Sequence, residues 1–338
     1  MKTQRIFLNI VFYLLFPTAL LGQDTITDNS FSPNGNVYAK LFTNFHAGIN
    51  KADDQMAFEM RRAYFGYKYY LNSEFSAEVK IDIGAAHDEL MELGLGRYAY
   101  FKNAYLRYQK NALQLNFGLI DMQAFLMQEK VWGHRYIIRS FQDQHRFGPK
   151  ADLGANIICK INKTFSFDIT ASNGEGYKNL QGDNTIKGGA GITINPVKSI
   201  TLRAYYDISV KSRHQSTIAA FIAYKYRDKL SVGAEYNLQL NSKFIENQNL
   251  DGISVYSSYN INSKFQVFGR YDVLSSNTIN GDVEEWNIDN DGSAVITGVQ
   301  YQMIKQVRVA LNYQGWFSSD AEQPDVSYIY LNFEVKLN

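Results

Sequence analysis

The chain of 338 residues has one cysteine, Cys159, and five prolines. A single cysteine forbids an intrachain disulfide and provides no cysteine near the N-terminal leader for a lipid anchor. After residue 23 no apolar run approaches the roughly 18 residues that a membrane-spanning helix needs, so the rest of the chain either is soluble or crosses lipid as strands. Net charge is lacking too, with 34 basic against 33 acidic residues. Nothing in that balance suggests nucleic acid as a partner. The five histidines show no metal-ligand spacing, and no G-x-S-x-G, P-loop or HExxH pattern is present. Asn287, Asp289, Asp291 and Gly292 imitate the start of a calcium loop, but its twelfth position is Gly298 where a bidentate glutamate is required. The reading is therefore of no catalytic residues, no metal and no cofactor.

Aromatic residues are abundant: 22 Phe, 24 Tyr and 3 Trp. Many sit near the ends of strand-like stretches, where the interfacial girdles of a transmembrane barrel need amphipathic rings. Residues 1–23 carry Lys2 and Arg5, the apolar run 6–21, and then Gly22 and Gln23. That is the pattern of a secretory signal peptide. Removing it leaves 32 basic and 33 acidic residues. Residues 24–36 read as a lead-in and 37–338 as one β-barrel domain.

Sixteen strands are predicted: 37–49, 56–71, 75–84, 98–108, 113–119, 152–161, 165–172, 185–194, 200–210, 217–226, 230–240, 252–261, 265–273, 294–303, 307–314 and 326–337. In 76–84, Ala77, Val79, Ile81 and Ile83 share one face while Glu78, Lys80 and Asp82 share the other. The connections alternate between tight and long, as expected of a sheet with two inequivalent sides. The fold class is therefore an all-β, 16-stranded antiparallel transmembrane barrel, with both termini on the short-turn, periplasmic side. The second strand resists assignment, because Glu59, Arg61 and Arg62 break its alternation on either face; contact with a neighbouring subunit would account for them.

The longest connection, 120–150, contains Trp132, Tyr136, Ile137, Ile138, Phe141 and Phe147, enough apolar surface to pack against something. Folded inward it narrows the lumen. Lys130, Arg135, Arg139, Arg146 and Lys150 outnumber Asp121, Glu129 and Asp143 in it, with His134 and His145 available to add charge at low pH. The pore-constriction candidates are therefore Lys130, His134, Arg135, Arg139, Arg146 and Lys150. The lumen-wall candidates are Lys80, Arg107, Arg203, Arg270 and Arg308; Lys160, Lys187, Lys225 and Lys336 share their face, against seven carboxylates. A basic constriction favours anions by focusing the field. Equally, the arginines could pair with wall carboxylates and pin the loop.

The segment EKVWGHRYIIRSFQDQHRFGPKADLGA from Glu129, FEMRRAYFGYKYYLN from Phe58 and NGEGYKN from Asn173 resemble the phosphate-selective porin O and P family, in its generic outer-membrane porin branch. The resemblance extends over nearly the whole chain beyond the leader. It implies a homotrimer of 16-stranded barrels in the outer membrane of a Gram-negative bacterium, each with a constriction loop after the fifth strand. Phosphate selectivity in that family depends on a dense run of lysines and arginines; here charges of both signs are interspersed, so no phosphate ligands are carried over. The function implied is passive diffusion of small hydrophilic solutes, with outer-membrane lipid and solutes or anions as partners. A barrel-anchored adhesion protein, working through loops such as 274–292, and an outer-membrane hydrolase are the alternatives.

Overall fold

The computed structural model describes residues 31–50, 56–84, 99–211, 213–279 and 281–337. The predicted signal peptide and most of the predicted lead-in lie outside these residues, as do the first predicted residue of the fourth strand and His87. From Pro33 onward the chain forms one unit.

That unit is a closed barrel of sixteen antiparallel strands. They are β1 (Asn34–Asn50), β2 (Met56–Tyr70), β3 (Phe75–Gly84), β4 (Ala99–Lys110), β5 (Leu113–Asp121), β6 (Ala151–Cys159), β7 (Phe165–Ser172), β8 (Lys187–Val197), β9 (Ile200–Val210), β10 (His214–Tyr226), β11 (Leu230–Leu240), β12 (Leu250–Asn260), β13 (Phe265–Ser276), β14 (Gly292–Ile304), β15 (Val307–Ser318) and β16 (Val326–Leu337). Each strand pairs with its sequence neighbours, and β1 closes on β16 from Ala39↔Leu337 to Asn50↔Val326. Closure leaves no strand edge, the condition for a sheet to sit in hydrocarbon.

The side chains divide as alternation requires. Phe58, Phe65, Phe101, Phe117, Leu153, Ile169, Ile192 and Ile222 face outward and are exposed, Phe58 at 86% and Phe117 at 73%. Lumen-facing Asp82, Asn116, Asp168, Arg203, Asp207, Asn237, Arg270, Asp272 and Asn332 are all buried. Apolar outside and polar inside is the inverse of a soluble sandwich, and it marks a transmembrane barrel.

Three of the short turns use one device. Asn72, Asn162 and Asn262 each accept, through Oδ1, the backbone N–H groups two and three residues on, at 2.6–2.9 Å. The side chain thus mimics a turn that the backbone would otherwise close. Each is followed three residues later by a phenylalanine, Phe75, Phe165 or Phe265, which opens the next strand and stays exposed at the barrel rim. On the opposite side the alternation of lengths is not strict. β10 starts at His214, paired with Val210, so only residues 211–213 join it to β9.

Two bulges change what the strands present. In the β1–β2 ladder Phe42 pairs with Arg62 but Thr43 with Met60, leaving Arg61 as an extra residue. In the β3–β4 ladder Lys80 pairs with Asn103 and Ile81 with Phe101, leaving Lys102 extra. A bulge places two consecutive side chains opposite one partner and so breaks alternation locally. Here it directs Arg61 and Arg62, and Lys102 and Asn103, into the lumen. The charges of β2 therefore meet the pore interior, where Glu59 accepts a hydrogen bond from buried Asn44, rather than a neighbouring subunit.

Candidate functional site

The connection between β5 and β6, residues 122–150, folds into the barrel. Its first helix, α1 (Leu126–Trp132), is built of good helix formers and ends at Gly133, whose φ of 71° and N–H bond to the Glu129 carbonyl form a left-handed cap. A single turn, α2 (Phe141–Gln144), follows. The apolar side of this segment is buried against the barrel wall: Val131, Trp132, Tyr136 and Ile137 pack with Phe221, Tyr256, Phe268, Ile296 and Ala310. Phe141 and Phe147 pack with Leu250 and Leu274. The Trp132 ring meets Tyr256 and Phe268 edge-on at 5.6 and 6.1 Å.

The wall arginines complete the attachment. Arg203 pairs with Asp168 at 2.7 Å and donates to the Gln123 carbonyl at 3.0 Å. Arg270 pairs with Asp272 at 2.5 Å and donates to the Arg139 carbonyl at 2.5 Å. Arg308 pairs with Glu334 and donates to the Gly133 carbonyl at 3.1 Å. Arg61 donates to the Ile137 carbonyl. Tyr256 reaches the Gln128 carbonyl at 3.0 Å and Gln239 the Phe147 carbonyl at 3.0 Å. A buried carbonyl lost from water needs such donors. The pinning anticipated for the loop's arginines is thus carried out by wall residues on its backbone.

The loop's own charges face the other way. Arg135 lies 3.3 Å from both Glu129 and Asp143, and Lys150 pairs with Glu129. Three cavities follow one another past this edge. The one towards the short turns, about 780 Å³, is bordered by Lys40, Lys80, Lys130, Arg308 and Glu334 among others. A middle one of about 370 Å³ shares Lys102, Arg135 and Lys150 with it. An outer one of about 760 Å³ shares Arg146 and Gln215 with the middle one.

Of the three, the middle cavity has the largest excess of cations over carboxylates. Its described lining includes Arg62, Lys102, Arg135, Arg139, Arg146, Lys150, Lys178 and Lys187, against Asp143 and Glu175. Arg62 is held by Asp82 at 2.7 Å and Lys187 by Asp207 at 2.9 Å. Lys102, Arg139, Arg146 and Lys178 have no ion-pair partner among the described residues. Lys102 rests over the Tyr64 ring at 4.8 Å. Lys178 arrives on the 173–186 connection, which the Asp152 carboxylate holds by accepting from the N–H groups of Gly174 and Gly176 at 2.5 and 3.2 Å. Both glycines have positive φ, 96° and 83°, which a side chain would resist. Tyr177 then anchors to Asp82 at 2.7 Å.

Of the residues singled out in the sequence, Arg135, Arg139, Arg146 and Lys150 meet at the middle cavity, and Lys80, Lys130 and Arg308 at the one below it. His134 lies on the packed side, between the Trp132 carbonyl at 2.6 Å and the Gln266 side-chain amide at 2.8 Å. Burial pushes His134 and His145 down to about 4, so neither adds charge near neutral pH. Arg203 and Arg270 are committed to carboxylates and loop carbonyls, and Arg107 to Asn116 and Tyr105 at 2.8 and 2.9 Å. Lys160 lies beyond the end of β6, in a short turn. Strict alternation missed Lys102 and could not place Arg61 and Arg62. The signal for them is the adjacent polar pair, Arg61–Arg62 and Lys102–Asn103, inside an otherwise alternating strand. The imitation calcium loop has a plainer role: the Asp291 carboxylate accepts from the Ser276 hydroxyl at 2.5 Å and the Asn287 amide at 3.0 Å, and no metal-ligand cluster is present among the described residues.

A closed 16-strand barrel whose fifth connection lies inside the lumen has the architecture of the outer-membrane channels, and solved structures of that class superpose on nearly the whole chain. The channel DcaP of Acinetobacter baumannii matches with a TM-score of 0.69 at 13% identity, covering 90% of this chain and 98% of that one. OmpF of Salmonella typhi, solved with daunomycin, matches at 0.66 and 12%, covering 89% and 97%. The trimer form of OmpT, an outer membrane protein of Vibrio cholerae, matches at 0.58 and 14%, covering 91% and 100%. Identities this low establish the fold alone. No family model matches the chain, and no curated protein matches it by sequence.

Proposed function

We propose that the chain is a porin of the Gram-negative outer membrane, a homotrimeric passive channel for small hydrophilic solutes with a preference for anions of phosphate-like size and charge. The observation that carries this reading is the series of three cavities along the lumen, the lower and middle sharing Lys102, Arg135 and Lys150 and the middle and outer sharing Arg146 and Gln215. A passage edged by cations in a low-dielectric frame concentrates anions and raises their entry rate. Lys130, Arg135, Arg139, Arg146 and Lys150 supply the loop side of the narrowing, His134 packs that loop against the wall, and Arg62 and Lys102 supply the opposite side. Lys80, Arg107, Arg203, Arg270 and Arg308 are the wall cations, of which the last three act chiefly by holding the loop. The likeness to a trimeric neighbour supports the trimer, and the quoted sequence segments support the phosphate-selective porin O and P family.

Liposome swelling tests the reading. Purified protein in vesicles should admit phosphate and small sugars at rates that fall with solute size. Vesicles that swell no faster than protein-free controls would overturn it.

A further inference from the structure

The outer cavity differs from the passage below it. Two of the three tryptophans in the chain, Trp286 and Trp316, border it. Indoles in a transmembrane barrel belong at the lipid interface, where one end is apolar and the other wet; these face the lumen. Trp286 is fixed by its Nε1–H, which donates to the Asn249 carbonyl at 2.8 Å. Trp316 packs on the His145 ring, with centroids 5.9 Å apart.

Around the two rings are carboxamides, among them Gln215, Gln314 and Asn287. A carboxamide carries both donors and an acceptor; Asn287 spends one hydrogen on Asp291 at 3.0 Å and accepts from Asn290 at 3.3 Å, which leaves its second N–H for the cavity. Gln314 spends its amino group on Asn312 at 2.9 Å, which leaves its carbonyl oxygen for a donor in the cavity. At the floor, Arg146 borders both this cavity and the basic passage. It is exposed, without an ion-pair partner among the described residues, and holds a left-handed backbone conformation, φ 58°. A non-glycine residue in that region is strained, and such strain clusters at ligand sites. The volume of about 760 Å³ is within the range of small-molecule sites.

We infer that the outer cavity is a subsite for an acidic saccharide, whose pyranose ring lies on Trp286 and Trp316 with hydroxyls on Gln215, Gln314 and Asn287, and whose carboxylate meets Arg146. An inorganic anion has no use for indole faces, and a flat aromatic acid leaves the carboxamides unanswered. A sugar ring has a C–H face for the first and a rim of hydroxyls for the second. The inference deepens the channel reading by naming a solute class.

The test titrates intrinsic tryptophan fluorescence of the purified protein with glucuronate, glucose and open-chain gluconate, alongside ion current through bilayer channels. Glucuronate should saturate at about tenfold lower concentration than either single-feature probe, the effect of one charge-assisted hydrogen bond or one stacked ring. W286A should weaken glucuronate and glucose but leave gluconate unchanged, with W286F restoring part of the loss. R146Q should weaken glucuronate and gluconate but leave glucose unchanged. Equal response to gluconate and glucuronate, or no response to any probe, overturns the subsite. Sugar binding without ion current leaves the subsite standing and defeats the channel, whereas current without sugar binding does the reverse.

Discussion

At the scale of single residues, the decisive feature is which cations are already spent. Arg270 is buried against Asp272, which takes its Nε and Nη2 hydrogens, and donates from Nη1 to the Arg139 carbonyl. Replacing it with leucine strands the Asp272 carboxylate, at 1% exposure, and should cost about 3–5 kcal/mol, read as a lower unfolding temperature in detergent. Lys102 has no such commitment, so K102Q should leave the unfolding temperature unchanged and shift ion selectivity instead. His145 gives a pH prediction. Burial holds its folded value at about 4 against roughly 6.5 when unfolded. The unfolded chain therefore takes up the proton first as pH falls. Stability present above pH 6.5 is lost between about 6.5 and 4, and H145Q should flatten that part of a stability–pH curve. Sequence reading found Arg203, Arg270 and Arg308 because regular alternation puts them inside. It missed Lys102 because a bulge is one inserted residue with little compositional mark.

At the scale of elements, strands were legible and their irregularities were not. β3, β7, β9 and β16 begin and end where alternation says they should, because every second side chain must choose lipid or water. The end of β5 and the start of β6 follow the sequence within two residues, but β10 starts three residues early, since pairing with β9 continues past the last apolar residue. The inward fold of the loop was legible from its aromatic content, though not the wall it chose. That depends on Phe221, Tyr256, Phe268 and Ile296, which come from four strands. Trp132 is the centre of this contact at 2% exposure. W132A should cost about 3–5 kcal/mol of attachment and release the loop, seen as larger and noisier single-channel conductance with the barrel itself intact.

At the scale of the whole molecule, sixteen strands, closure and an inverted polarity make a wall, and one connection turned inward makes a passage of unequal halves. The loop's apolar side takes the β10–β15 wall, so at the middle cavity the route lies along β2–β4, where the two bulges deliver Arg62 and Lys102 opposite Arg135 and Lys150. Near-neutral composition conceals this, because carboxylates along the route are paired while Lys102, Arg139, Arg146 and Lys178 of the middle cavity keep no ion pair among the described residues. The reversal potential of single channels in a potassium chloride gradient measures that imbalance directly. It should lie towards the chloride equilibrium potential and move towards zero in a K102Q/R135Q double variant. A wild-type potential on the potassium side would contradict a cation-edged passage.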